Sequence, residues 1–328
     1  MPSLFLDTNL YSYASNEGQV DRVRAWLDRN GFTAVASILN LIELARTGDR
    51  GQAVALVRAL TRIAREQEEP PFTALLTDEF LTAAKTQQPQ WVQAGGWATR
   101  SNRLRSYRQK WEAVRAAPEQ AFVGLADFDR EHQPLEQGLY EQQTKVAKAQ
   151  RDRDVISVEV VVPPALRTLV GDQLADRVDR LPSAERFVRL ASLEDWVAAL
   201  FPSNRRPNDL RNWIDGHLKP MKERALATFW LADVGLNAVP HHAVRGLVRH
   251  LQPTRTVKDS NRNDLDQANW LLRVDLVLTA DKRFLDLLLQ AREQLRSWVP
   301  NINVARLGLV KPAADTLTAV QQAIAEAR

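Results

Sequence analysis

Three apolar residues, Leu4, Phe5 and Leu6, stand together near the start of the chain and are cut off by Asp7. A run with no polar residue to turn toward water predicts a short strand, at about 3–6, covered on both faces. The spacing then becomes helical. Val20, Val23, Trp26 and Leu27 fall on one face of a helix, which Arg29-Asn30-Gly31 ends in a turn. Phe32 to Ala36 predicts a second strand, and Ser37 is placed to cap the mostly buried helix ILNLIELA. GQAVALVRALTRIAREQ continues as an amphipathic helix to about residue 67. Strand, helix, strand, helix, helix is the opening of a parallel sheet.

At Glu68-Glu69-Pro70-Pro71 the pattern shifts. For about 160 residues beyond it the chain is helix-patterned and carries five of the nine tryptophans before Ala225, with VISVEVVVPP at 155–164 as one extended exception. Strand patterns return at Asp275-Leu276-Val277-Leu278-Thr279 and at Asn303-Val304-Ala305-Arg306-Leu307, each beside a helix. The expected architecture is α/β: a Rossmann-like parallel sheet assembled from 1–69 and 236–328, interrupted at 70–235 by a large, mostly α-helical insertion.

Composition narrows the chemistry more than the fold. The 328 residues are 45% hydrophobic and 26% charged, the balance of a soluble globular protein. No apolar stretch approaches the roughly 18 residues of a membrane span, and the first residues do not read as a signal peptide, so a cytoplasmic location is expected. Cysteine is absent, which excludes disulfides, thiolate catalysis and cysteine-type zinc sites. Histidine occurs only at 132, 217, 241, 242 and 250, so a metal is expected to be held by oxygen. The net charge of +4 is a mild bias toward polyanionic partners.

Four acids stand in apolar settings. Asp7 follows a strand, where ligand crevices form in open α/β sheets, although it also suits a helix cap. Glu43 is the lone acid of LNLIELAR, and burying it requires a metal or a partner such as Arg46 or Arg50. In SNRNDLDQANWLLRVDLVLTADKRF, Asp264 and Asp266 open a helix and Asp281 repeats the position of Asp7 after the strand LVLT. Asp264 shares the apolar stripe of Ala268, Leu271 and Leu272, whereas Asp266 lies on the side of Trp270 and Arg273. Singly, each has an ordinary role as a cap or dipole partner. Gathered at one sheet edge, they cannot all stay ionised without a counter-charge. Oxygen ligands select Mg2+ or Mn2+, ions that serve phosphodiester hydrolysis.

LFLDTN, ASILNLIELA and SNRNDLDQANWLLRVDLVLTADKRF together resemble the PIN domain, a family of metal-dependent nucleases with a Rossmann-like parallel sheet. The resemblance rests on the order acid-strand, acid-helix, acid-helix, acid-strand and covers about 1–67 and 240–310. It implies that Asp7, Glu43, Asp264 and Asp281 are both the catalytic residues and the metal ligands, with Asp266 as the alternate for Asp264. It also implies that Thr8, Asn9 and Thr279 support them through hydrogen bonds. Many members cut RNA, including toxins of bacterial toxin-antitoxin pairs, so RNA is the implied substrate. The long central segment has no counterpart in compact members.

Within that segment, WATRSNRLRSYRQKWEAVR sets six cations against the single acid Glu112. Arg103, Tyr107 and Trp111 share a helical face that suits stacked bases, with Arg108 among the phosphate-binding cations; alternatively the aromatics face the core and the arginines face water. Lys282 and Arg283 adjoin the acids, as do Arg255 and Lys258 in the preceding loop, and suit phosphates flanking the cleaved bond. His241-His242 reads as surface or capping residues. The expected function is a Mg2+- or Mn2+-dependent endonuclease acting on RNA, the alternative being a catalytically silent module that binds nucleic acid or protein. A small-molecule phosphohydrolase fits less well, since Asp7-Thr8-Asn9 lacks the second aspartate of aspartyl-phosphate enzymes. The sequence leaves an inhibitor protein and self-association open.

Overall fold

A computed structural model describes residues 1–45, 49–93, 95–119, 161–201, 209–252 and 261–327. Five strands form one all-parallel sheet: β1 (Ser3–Leu6), β2 (Thr33–Ala36), β3 (Glu66–Gln67), β4 (Leu276–Thr279) and β5 (Arg306–Leu309), in the order β3-β2-β1-β4-β5. Between the first three strands run α1 (Thr8–Asn16), α2 (Val20–Arg29), α3 (Ile38–Ala45) and α4 (Arg50–Ile63). The principal later helices are α5 (Phe72–Gln87), α6 (Trp97–Ala116), α7 (Ser183–Leu200), α8 (Pro240–Leu251), α9 (Asn261–Gln267), α10 (Lys282–Trp298) and α11 (Thr316–Glu326).

The sheet differs from the sequence expectation most in one added strand. The α4 helix ends at Ile63 rather than near residue 67, and Glu66-Gln67 pairs in parallel with Val35 and Ala36. Two polar residues at a sheet edge carry no apolar alternation, so the pattern could not reveal a strand made only by backbone pairing. The β5 strand begins at Arg306 rather than Asn303. Residues 155–160 of the extended exception lie outside the described residues, and Pro164 opens the helix Pro164–Val170.

Alternation along the strands divides the core into two layers. Leu4, Leu6, Ala34, Ala36, Leu276 and Leu278 face a layer built with α1, α2, α4 and α11. Phe5, Val35, Val277 and Leu307 face the other, which is continuous with α5, α7, α8 and α10. Helices from 70–235 thus share a hydrophobic core with the sheet. Phe80 organises this second layer, stacked on Trp196 with ring centroids 4.1 Å apart and edge-on to Phe229 at 5.5 Å.

The α7 and α8 helices meet closely because Gly246 has no side chain. A Cβ there would lie 2.9 Å from the Val188 backbone. Gly246→Val is therefore expected to destabilise the fold by about 1–3 kcal/mol through overpacking, read as a lower denaturation midpoint. An unchanged midpoint would show that the two helices separate without penalty.

Candidate active site at the carboxyl edge of the sheet

The chain winds from β1 toward β3 on one side and toward β5 on the other, so β1 and β4 flank the switch point where open α/β sheets form their crevice. Leu6 pairs with Leu278, and the Asp7 N–H extends this ladder by donating to the Leu278 carbonyl at 2.9 Å. Asp7 and Asp281 therefore leave neighbouring strands at the same edge.

Thr279 joins them. Its hydroxyl donates to Asp7 Oδ2 at 2.7 Å, while its Oγ1 accepts the Asp281 N–H at 2.9 Å. Asp7 also caps α1, its Oδ1 accepting the Thr8 N–H at 2.7 Å. Asp281 caps α10 through the N–H groups of Arg283 and Phe284, at 2.7 and 3.2 Å. Each aspartate is thus a helix cap and a strand-end acid at once.

Glu43 arrives from α3, whose start is held by reciprocal bonds: Ser37 Oγ accepts the Asn40 N–H and Asn40 Oδ1 accepts the Ser37 N–H. Glu43 Oε2 accepts the Thr8 hydroxyl and, at 3.2 Å, the Gln267 side-chain amide. Asn40 Nδ2 donates to Thr8 Oγ1 at 2.9 Å. Gln267 lies on α9 three residues after the half-buried Asp264, so its bond to Glu43 ties the Asp264 helix to the cluster. Asp266 turns elsewhere, its Oδ1 standing 3.4 Å from Arg245 Nε of α8, and Arg245 also pairs with Asp195 of α7.

Electrostatics tie three of the acids together. Asp7 is only 7% exposed. Burial pushes its carboxyl up to about 6; the bonds from Thr279 and Thr8 oppose the rise, and the charges of Glu43 and Asp281 add to it. No lysine or arginine pairs with Asp7 among the described residues. Tyr11 beneath it is fully buried, and its hydroxyl is pushed far above the ordinary range by burial and by Asp7. Among the described residues, however, no group of three or more histidine, aspartate or glutamate side chains is positioned to hold a metal ion.

The remaining expected residues divide sharply. Asn9 is exposed, and among the described residues its side chain makes no hydrogen bond to the cluster; Asn40 and Gln267 make the supporting bonds instead. Lys282 and Arg283 are exposed in the first turn of α10. Lys258, Arg255 and Arg46 lie outside the described residues. Trp111 is in the core and Tyr107 is half-buried against it with its hydroxyl enclosed, so this face of α6 points inward. Arg103 is also half-buried, whereas Arg108 is exposed and donates to Glu69 through Nε at 2.6 Å.

His242 departs from the surface reading, being 3% exposed. Its Nε2 accepts the Trp196 indole N–H at 3.0 Å, and Glu79 caps the start of α8 by accepting the N–H groups of His241 and His242. The histidines are capped rather than capping, because Pro240 opens the helix and leaves these N–H groups to be satisfied from outside. Asn40 and Gln267 were detectable in principle as polar residues set among apolar ones, in SILNLIELA and on the stripe of Asp264. Comparisons with protein-family models, with curated proteins and with solved structures find no match to this chain.

Proposed function

We propose that the chain is a PIN-type, Mg2+- or Mn2+-dependent endonuclease that hydrolyses phosphodiester bonds in RNA in the cytoplasm, with 1–69 and 236–328 as the nuclease unit and 70–235 as its helical insertion. The observation that carries this is the departure of Asp7 and Asp281 from adjacent parallel strands at the switch point, with Glu43 bound to Thr8 beside them. An Asp7 raised by burial, with two other acids adding to the rise, and paired with no described cation fits a site for a positive ion.

Asp7, Glu43, Asp264 and Asp281 would hold the ion, a donor set of oxygen only. When bound, such an ion supplies an activated water and neutralises charge growing on the phosphate. Thr279 fixes Asp7 and the backbone of Asp281, while Thr8, Asn40 and Gln267 orient Glu43. Lys282 and Arg283 at the head of α10 contact the phosphates beside the cleaved bond.

A second reading is a catalytically silent module that binds nucleic acid or protein. It is favoured by one observation, that no three described acids stand ready around a common point. One assay separates the two: purified protein with labelled RNA and DNA in Mg2+ or Mn2+, with EDTA and Asp7→Asn controls. The nuclease reading expects RNA cleavage that both controls abolish. Cleavage surviving both ends the metal-carboxylate proposal, and binding without cleavage in any metal selects the silent module.

A further inference from the structure

Trp97 opens α6 with 57% of its surface exposed, the most open aromatic side chain among the described residues. Its surroundings hold the ring in place. Its ring meets the edge of buried His217 at 5.1 Å and 83°. His217 lies in a segment paired to the residues before α6: Gln93 N–H donates to the His217 carbonyl at 3.0 Å and Lys219 N–H to the Trp91 carbonyl at 2.8 Å. Gly96 precedes Trp97 at φ 86°, and a Cβ there would stand 2.7 Å from the His217 ring. Only glycine allows the helix to begin this close to the imidazole. One turn on, Arg100 is pinned by Asp78 and lies over the Trp213 ring at 5.6 Å.

Helical spacing places Trp97, Ser101, Arg105 and Arg108 on one stripe of the helix, alongside the buried stripe of Arg100, Trp111 and Val114. From Trp97 to Arg108 the outer stripe runs about 16 Å. Arg105 and Arg108 are both exposed; Arg105 has no ion pair among the described residues, whereas Arg108 is bonded to Glu69, which a phosphate would have to displace. A preset aromatic ring followed by cations along a helix is the arrangement that holds a single strand, the ring taking a base and the cations its phosphates.

We propose that the outer face of α6 is a binding site for single-stranded nucleic acid, with Trp97 stacking on one base and Arg105 and Arg108 contacting the phosphates that follow. The ligand class rests on the nucleic-acid reading above, but the site does not require cleavage. The test is fluorescence polarisation of a labelled single-stranded RNA in EDTA, using the full chain, Trp97→Ala, Trp97→Phe and Arg105→Glu. Trp97→Ala should weaken binding about tenfold or more and Trp97→Phe much less. Arg105→Glu should weaken it and flatten its salt dependence. Because these side chains are exposed, circular dichroism should be unchanged. No binding by the parent chain, or equal affinity in Trp97→Ala, overturns the proposal. So does a change in self-association with unchanged RNA affinity, which would assign Trp97 to a protein contact. Binding that depends on Trp97 in a protein that never cleaves would sink the nuclease reading and leave this one standing.

Discussion

Asp7→Asn is expected to stabilise the metal-free protein at neutral pH and, on the proposed nuclease reading, to remove cleavage. The Asp7 carboxyl titrates at about 6 in the folded chain against an ordinary 3.8, because burial and the neighbouring acids oppose its charge. A folded-state value above the unfolded one means that the folded state binds the proton more tightly. The contribution of Asp7 to stability is therefore most favourable below about pH 4, falls as pH rises from about 4 to 6, and stays reduced above that. The penalty at neutral pH is on the order of 1–3 kcal/mol. Asparagine caps a helix as well as aspartate does and carries no charge, so the variant should keep α1 and lose the penalty. Denaturant titrations at pH 4 and pH 8 read this directly: the variant should be the more stable at pH 8, and the gap should close at pH 4. Added Mg2+ should raise the melting temperature of the parent chain and leave the variant unmoved, since an ion that binds the folded state stabilises it by mass action. Loss of groups that merely support metal ligands costs 10- to 100-fold, so loss of Asp7 should lower cleavage by at least about 100-fold. Lower stability of the variant at pH 8 would mean that Asp7 already has a compensating partner.

The parts of this arrangement that were legible in the sequence are those set by side-chain pattern. Leu4-Phe5-Leu6 and Leu276-Val277-Leu278 announce strands buried on both faces, and each is followed by an aspartate, so the sheet edge carrying Asp7 and Asp281 could be read without coordinates. The approach of Glu43 was readable as an acid that cannot sit unpartnered on an apolar helix. What was hidden depends on the backbone or on contacts between distant segments. The β3 strand is made by main-chain pairing of Glu66 and Gln67, and nothing in those side chains betrays it. Asn40 and Gln267 matter because Thr8 and Glu43 happen to meet them across 32 and 224 residues of chain. The aromatics of α6 show why periodicity alone is ambiguous: Tyr107, Trp111 and Trp97 alternate with cations equally well, yet two pack inward and one faces water. A helical face has no sign until something packs against it.

Glu68 shows how far such long contacts can bear on stability, and Arg273→Leu is expected to be the most damaging single substitution away from the site. Glu68 follows β3 and is 3% exposed. It accepts the Phe72 N–H at 2.8 Å and Arg273 Nη1 at 3.0 Å. Arg273 also donates to the Pro70 carbonyl at 2.8 Å, and its guanidinium lies over Trp270, which stacks on Phe5 in the centre of the sheet. One cation thus fastens the end of β3 to the segment that leads into β4. Burial raises the Glu68 carboxyl above its ordinary value even with Arg273 opposing the rise, so the charge is tolerated only with its partner in place. Removing the arginine leaves a buried carboxylate unpaired, a loss of about 3–5 kcal/mol. The loss should be largest at high pH and shrink as pH falls, because protonation then relieves the unpaired charge. Glu68→Gln combined with Arg273→Leu should recover part of it, since a neutral amide needs no cation. Denaturant midpoints of the single and double variants at pH 5 and pH 8 measure both effects. A loss independent of pH, undiminished in the double variant, would assign the role of Arg273 to its packing on Trp270 rather than to its charge.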